Sequence, residues 1–456
     1  VLKEPLVTSI KNKDFETTRY LLGGAEDMEI LHTFIDLTPQ DQTTVFLLLE
    51  KSCAQRTFEH LDTKLQQNLL RSLEPQKTIE LVNALAPDDR IKLLDGLPEN
   101  VSALLISSLS EEEREVTNVL KGYKSETAGH IMTPEYIALQ KDISAAQALE
   151  EVRRQAKDKE TVYTLFVTDS EQKLRGVLSL QALIVAESDS RVEDIMLKKP
   201  IRVSTDTDQE EVAKILQNLD LLAIPVVDAE ERLVGIVTID DAVDILEKEA
   251  TEDIYDHAGL ADVTNNESSR SEVLVFGSLW KIWKVRLPIL LITLGVGMLS
   301  GLVINGFEQT LESIAVVAIF IPVIMGMGGN VGTQSSTVFV RGVVLGHIQL
   351  KNFTHHFLKE IGIGFSISAV IGVFTGIIAA LWQGMPELGM AVGLALIVTI
   401  TIASLLGFIV PFLLIKLKVD QAAGSAPIVT SIKDVVALVI YFLSVNIFIG
   451  NMGGLG

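Results

Sequence analysis

Carboxylates recur in this chain at spacings that suit a hard cation. The tract Asp240, Asp241, Asp244, Glu247, Glu249, Glu252 and Asp253 places Asp240, Asp244 and Glu247 on one helical face. Like charges at that spacing repel, and a divalent ion bound to their oxygens relieves the repulsion. A second cluster, Asp206, Asp208, Glu210 and Glu211, opens a helix, where acids also complement the helix dipole. Asp434 stands inside an apolar run, about seven residues or roughly 10 Å from its start. A carboxylate at membrane depth is costly and marks a functional site by default. One such group per chain is a poor cage, but two related by a dimer axis would form a ring. That ring would hold a strongly hydrated divalent ion through its water shell. The segment Gly326–Thr337 is glycine-rich but lacks the Gly-Lys-Ser/Thr of a nucleotide loop. Its glycines permit close helix contact, whereas Asn330, Thr333, Gln334, Ser335 and Ser336 are too polar for lipid and should face a cavity. No nucleophile–base pair stands out, so an enzyme is not expected.

These groups sit in two unlike halves. The 456 residues are 48% hydrophobic with mean hydropathy +0.35, yet carry a net charge of −21. From Leu287 onward acids and bases balance, so all the net charge lies before that point. An acidic domain suits cations and repels nucleic acid and anionic lipid. The single cysteine, Cys53, excludes an internal disulfide framework and reads as a small buried apolar residue. The charged N-terminal stretch does not read as a signal peptide, which places the acidic half in the cytosol.

Residues 1–123 show no strand alternation. Short helices are expected at Asp14–Leu22, Pro39–Leu49, Lys64–Leu73, Gln76–Leu85, Asp88–Leu97 and Glu99–Leu109. The linkers Leu73-Glu74-Pro75, Leu85-Ala86-Pro87 and Leu97-Pro98 recur with a period of about 11–12 residues, as in a helical superhelix. Within 124–256, Thr164–Asp169 and Leu174–Ser179 recur 59 residues later as Ala223–Asp228 and Leu233–Thr238. Each unit reads as strand, helix, strand, turn, strand, helix, with Gly176 or Gly235 in the hairpin turn. This resembles a tandem pair of CBS domains (repeat 1 at 124–190, repeat 2 at 191–256). Such modules form regulatory dimers, and some bind adenosine nucleotides such as ATP.

A polar linker, Asp262–Ser269, leads to an amphipathic helix at Ser271–Arg286. Its Trp280, Trp283, Lys281, Lys284 and Arg286 fit a membrane interface. Five apolar runs follow at 287–305, 314–344, 358–382, 390–415 and 427–449, each long enough to span a bilayer. The loops alternate between basic and base-free, which puts the N-terminus inside and the C-terminus outside. Asp434 reads as the only acid well inside a span.

GGNVGTQSST at 328–337, SIKDVVALVIYF at 431–442 and VTIDDAVDILEKEATEDI at 237–254 closely resemble the MgtE family, and the order of domains matches too. The resemblance implies an all-α helical superhelix N-domain, an α+β tandem CBS pair, a linker and interfacial plug helix at 257–286 and an α-helical membrane domain at 287–456 with five transmembrane helices. It further implies a homodimeric, Mg²⁺-selective channel of the cell's inner (plasma) membrane, with Asp434 as pore aspartate. Asn330, Ala426 and Asp420 would accompany it. Regulatory Mg²⁺ would close the channel from acidic sites at Asp88, Asp208, Glu210, Asp220, Asp241, Asp244, Glu249, Glu252 and Asp253. Val331, Thr333, Gln421, Ala437 and Lys92 depart from the family's usual residues. An ion-coupled secondary transporter of Mg²⁺, Mn²⁺ or Co²⁺ is the alternative expectation, and a nucleotide-sensing receptor without transport a third.

Overall fold

Apolar content before Glu247 is patterned for helices and half-buried sheets, and after it for long continuous helices. The structure, a computed structural model, describes residues 2–260, 267–417 and 425–449. It divides into two units, Val1–Glu247 and Lys248–Gly456, with the division inside the helix Ile239–His257.

The first unit begins with short helices running from Lys3–Lys11 to Glu111–Lys121. They are short because their ends are written into the sequence. Leu73 and Leu85 close their helices in extended conformation, with ψ 153° and 147°, and Pro75 and Pro87 open the next. Proline is tolerated at that first position because its missing N–H would have no partner there. The linker period therefore marks single helices, as expected. The packing repeat is twice as long. Gln42 Nε2 donates to the Phe34 carbonyl (3.0 Å), Gln66 Nε2 to Phe58 (2.9 Å) and Arg90 Nε to Val82 (2.9 Å). Each bond reaches back eight residues to a carbonyl of the preceding helix's last turn, and the three recur every 24 residues. Phe34, Phe46 and Phe58 pack edge to face at 6.4 and 6.3 Å in the core of this part.

The α+β part follows. Strands β1 (Ala138–Gln140), β2 (Thr164–Thr168), β3 (Leu174–Ser179) and β4 (Leu197–Lys198) form one sheet in that order. Strands β5 (Val203–Ser204), β6 (Ala223–Val227) and β7 (Leu233–Thr238) form the second. In each, the first pair is parallel and the second antiparallel. Gly176 and Gly235 differ from expectation. They lie inside β3 and β7, while the left-handed turn positions are Gln172 (φ 61°) and Glu231 (φ 65°). A side chain at Gly176 would overlap the Met196 sulfur, and a Cβ at Gly235 would stand 2.6 Å from the Met132 sulfur. The two glycines are conserved between the repeats by packing, not by turn geometry.

In the second unit, the single amphipathic helix expected at Ser271–Arg286 is broken. One helix, Glu267–Phe276, stops at Gly277, and Leu279–Gly306 starts afresh with Trp280 and Trp283 in its first turn, continuous with the first span. The expected linker falls mostly on 261–266, outside the described residues. Among the described residues five helices are long and apolar enough to cross a membrane: Leu279–Gly306, Ala315–Val344, Leu350–Gln383, Pro386–Lys416 and Thr430–Phe448. The third and fourth pack through glycines. A Cβ at Gly393 would lie 2.9 Å from the Gly372 carbonyl oxygen, and one at Gly376 2.8 Å from that of Gly389. Small residues are what let membrane helices approach this closely. Gly393→Val is therefore expected to cost about 1–3 kcal/mol by overpacking. The check is a lowered thermal-unfolding midpoint of the detergent-solubilised protein against a Gly295→Val control, where a Cβ meets nothing within 4 Å.

Candidate functional site

The helix Pro87–Asp95 is positioned by Arg90, which is buried. Besides its bond to Val82, its guanidinium donates to the Leu85 carbonyl (2.7 Å) and the Thr117 hydroxyl (3.1 Å) and pairs with Glu113 (2.6 Å). So fixed, the helix presents Asp88, Asp89 and Lys92 to the start of the helix Ile239–His257. Lys92 Nζ lies 2.6 Å from Asp241 Oδ1, 3.7 Å from Asp244 Oδ2 and 3.7 Å from Asp89 Oδ1. Asp241 is 5% exposed and also accepts from the Thr238 hydroxyl at 3.2 Å. A second bridge joins the same two parts, His130 Nε2 to Asp95 at 2.6 Å.

One cation does not balance this group of acids. Asp88 is 5% exposed, and its Oδ1 has no hydrogen-bond partner among the described residues. Burial, with the Asp241 charge beside it, pushes its pKa well up. Burial raises Asp89 to about 6 against the pull of Lys92, and raises Glu160 to about 7 with help from Asp240 and Asp241. Burial works against the Lys92 ammonium, yet Asp241 and Asp89 outweigh it and push its pKa up. Burial also raises Asp244. Asp240, Asp244 and Glu247 are exposed, as their shared face implied, while Asp241 turns inward to Lys92.

The remaining candidates are spread out. Asp208 caps the helix Gln209–Asn218 by accepting from the Glu210 N–H at 2.9 Å, and Glu210 pairs with Lys214 at 2.5 Å. Asp220 sits past the other end of that helix with φ 51°, so roughly 15 Å separates it from the first two. Glu249, Glu252 and Asp253 lie in the second unit and share one helical face. Among the described residues no three acids, histidines or cysteines come together as a metal cage. In the same unit the buried Arg270 pairs with Asp256 at 2.7 Å, tying the helix Glu267–Phe276 to the end of Ile239–His257.

In the membrane helices the polar segment divides between two faces. Asn330, Gln334 and Thr337 are exposed along one stripe of the helix Ile321–Val344, while Ser335 and Ser336 are buried. Ser335 and Ser404 both donate to Glu360 Oε1 at 2.6 Å. Glu360, 8% exposed, corrects the reading that Asp434 is the only acid well inside a span. The third span begins at Leu350 rather than 358, which places Glu360 roughly 15 Å along it. Glu360 stands beside Lys359 near the edge of the expected run 358–382, and nothing local in the sequence marks the two serines that reach it. Asp434 is half-buried on the helix Ser425–Phe448. Asp420 lies outside the described residues, as does the side chain of Ala426.

A model of the MgtE divalent cation transporter family matches residues 321–444, and models of its intracellular N domain and of CBS domains match 26–126, 128–189 and 192–248. The magnesium transporter MgtE of Thermus thermophilus is 40% identical over 333 residues, 73% of this chain and 72% of the relative. The chain belongs to the MgtE family. The Bacillus subtilis magnesium transporter MgtE is 34% identical over 348 residues, 76% of this chain and 75% of the relative. A crystal structure of the cytosolic domain of the Mg²⁺ channel MgtE in complex with ATP superposes with TM-score 0.51 at 35% identity, covering 53% of this chain and 98% of that one. The soluble part of a magnesium transporter superposes with TM-score 0.50 at 31% identity, over 54% and 96%. This MgtE-family chain is thus a multi-pass membrane protein with soluble N-terminal domains, and its fold class is the one expected.

The geometry around Lys92 gives a pH dependence. Asp89 and Glu160 have pKa values raised above the ordinary carboxylate range when the helix Pro87–Asp95 is docked, so the docked form holds protons that the undocked form releases. The contribution of these two groups to docking in metal-free protein is fully present below about pH 4 and is lost as pH rises through 6–7. Protection of the 87–95 amides in chelator, taken relative to the intrinsic exchange rate at each pH, should fall across that window. Lys92→Gln should lower it further at every pH, by about 1–2 kcal/mol of lost docking energy.

Proposed function

We propose that this MgtE-family protein is a homodimeric, Mg²⁺-selective channel of the cell membrane, closed by cytosolic Mg²⁺ and serving magnesium uptake and homeostasis. The stripe of Asn330, Gln334 and Thr337 carries this reading. Polar side chains exposed on a span of mean hydropathy 1.9 cannot face lipid and need a water-filled path or a second copy of the chain. Asp434 would serve as the pore acid, with Asn330, Ala426 and Asp420 near the path. The relatives named magnesium transporters, at 34–40% identity, support Mg²⁺ as the transported ion.

The sensing parts would be the helical domain (1–123), two CBS repeats (124–190 and 191–256) and the plug segment (257–286), with the N-terminal domains cytosolic and the C-terminus outside. Their acids suit a hard cation, since all the donors are carboxylate oxygens. The orphaned Asp88 Oδ1 is where a regulatory ion would gain most; Lys92 already fills the place beside Asp241. At low Mg²⁺ the acids would repel and release the pore, and at high Mg²⁺ bridging ions would hold it shut. ATP, present in one related cytosolic-domain structure, is a further ligand for the CBS pair.

Glu360 favours a second reading. A buried carboxylate bonded by two hydroxyls can carry a coupling proton or ion, as an ion-coupled Mg²⁺, Mn²⁺ or Co²⁺ transporter requires. Mg²⁺ flux into proteoliposomes separates the readings. Asp434→Ala is expected to abolish flux, and Asp241→Asn with Asp244→Asn to keep the channel open at internal Mg²⁺ that closes the parent. Flux indifferent to Asp434 counts against the channel. Currents no larger than a transporter's turnover favour coupling.

A further inference from the structure

Lys433 precedes the proposed pore acid in sequence and is 1% exposed. Its stem fills a notch on the helix Ile321–Val344 that exists only because residue 332 is glycine: a Cβ there would lie 2.6 Å from Lys433 Cδ and 2.7 Å from Cε, and would overlap the ammonium. The ammonium ends on the Gly329 carbonyl, donating at 3.1 Å. The same oxygen accepts from the Thr333 hydroxyl at 3.0 Å. The lysine tip is thus enclosed against the second span. If its only task were to join the second and fifth spans, an apolar side chain of the same length would do so without bringing a charge to membrane depth. The sequence spends a cation here, one residue from its only charged neighbour on that helix.

We propose that Lys433 is a fixed counter-charge to Asp434 that sets how tightly the pore acid holds a passing divalent cation. This rests on the reading of Asp434 as the pore acid. A carboxylate ring attracts ions in proportion to their charge, so it holds a divalent ion twice as strongly as a monovalent one, and an unopposed ring traps it. Conduction requires binding strong enough to enter and weak enough to leave. An immobile positive charge beside each carboxylate subtracts from the attraction, and subtracts twice as much for a divalent ion. Lys433 is therefore a specificity-determining residue whose effect appears in release as well as in capture.

The experiment is initial Mg²⁺ influx into proteoliposomes against external Mg²⁺ for the parent, Lys433→Met, Lys433→Gln and Asp434→Ala. Lys433→Met keeps the stem and removes the charge; Lys433→Gln also keeps a donor. Both are expected to lower the half-saturating Mg²⁺ by at least about threefold and to lower the maximal flux. Because losing Lys433 can cost the fold, Gly332→Ala is the second variant: it keeps the charge but drives it from its notch, and must shift the half-saturation too. Parental half-saturation in whichever of these variants elutes as folded protein, with Asp434→Ala inactive, overturns the counter-charge and leaves the pore acid standing. An Asp434→Ala protein that conducts like the parent overturns the pore assignment itself.

Discussion

Water stabilises an ion by tens of kcal/mol, and a protein that buries one must replace that solvation with opposite charge or hydrogen bonds. That constraint sets the arrangement of both units. Arg90 is enclosed by two carbonyls, a hydroxyl and Glu113, and by being enclosed it fixes the helix that carries Asp88, Asp89 and Lys92. Lys92 in turn lets two acidic surfaces meet across 149 residues of sequence. Arg270 does the same for the helix that leads towards the membrane spans, and Lys433 for the contact between the second and fifth of them. At these four places a contact between separate elements is made through a cation, fully buried for Arg90, Arg270 and Lys433 and half-exposed for Lys92.

The same chemistry makes the acidic surface responsive to its ionic surroundings. A surface held only by apolar packing is closed under all ionic conditions. One held by a few cations among more carboxylates depends on how many of those carboxylates are charged. The helical repeats bring that surface into place without deciding its state. Their side chains at 42, 66 and 90 each tie a helix to the one before, so the stack is a rigid mount for its acidic edge.

Much of this was legible in the sequence because it follows from periodicity and composition. The neutral and acidic halves, the short proline-started helices, the duplicated α+β unit and the five spans all express local pattern. Residues whose meaning depends on a distant partner were not legible. Asp241 was one acid of a tract until the structure turned it inward to Lys92. Glu360 was not singled out, because its partners Ser335 and Ser404 come from two other helices. Gly176 and Gly235 resembled turn glycines, since a missing side chain looks the same whether it frees the backbone or admits a sulfur atom. Gly277 divides an amphipathic run whose hydrophobic pattern continues through it, and pattern alone does not register a break of one residue.

The methionines beneath those glycines are exchanged between the repeats. Met132, near the start of repeat 1, packs on Gly235 of repeat 2, and Thr133 pairs with Ile236; Met196, near the start of repeat 2, packs on Gly176 of repeat 1, whose sheet also takes up β4. Each half thus keeps its own missing piece in the custody of the other. A duplicated gene segment usually leaves two copies free to drift, shorten or be lost separately. Here a cut between the copies would leave the glycine of each sheet without the methionine that covers it.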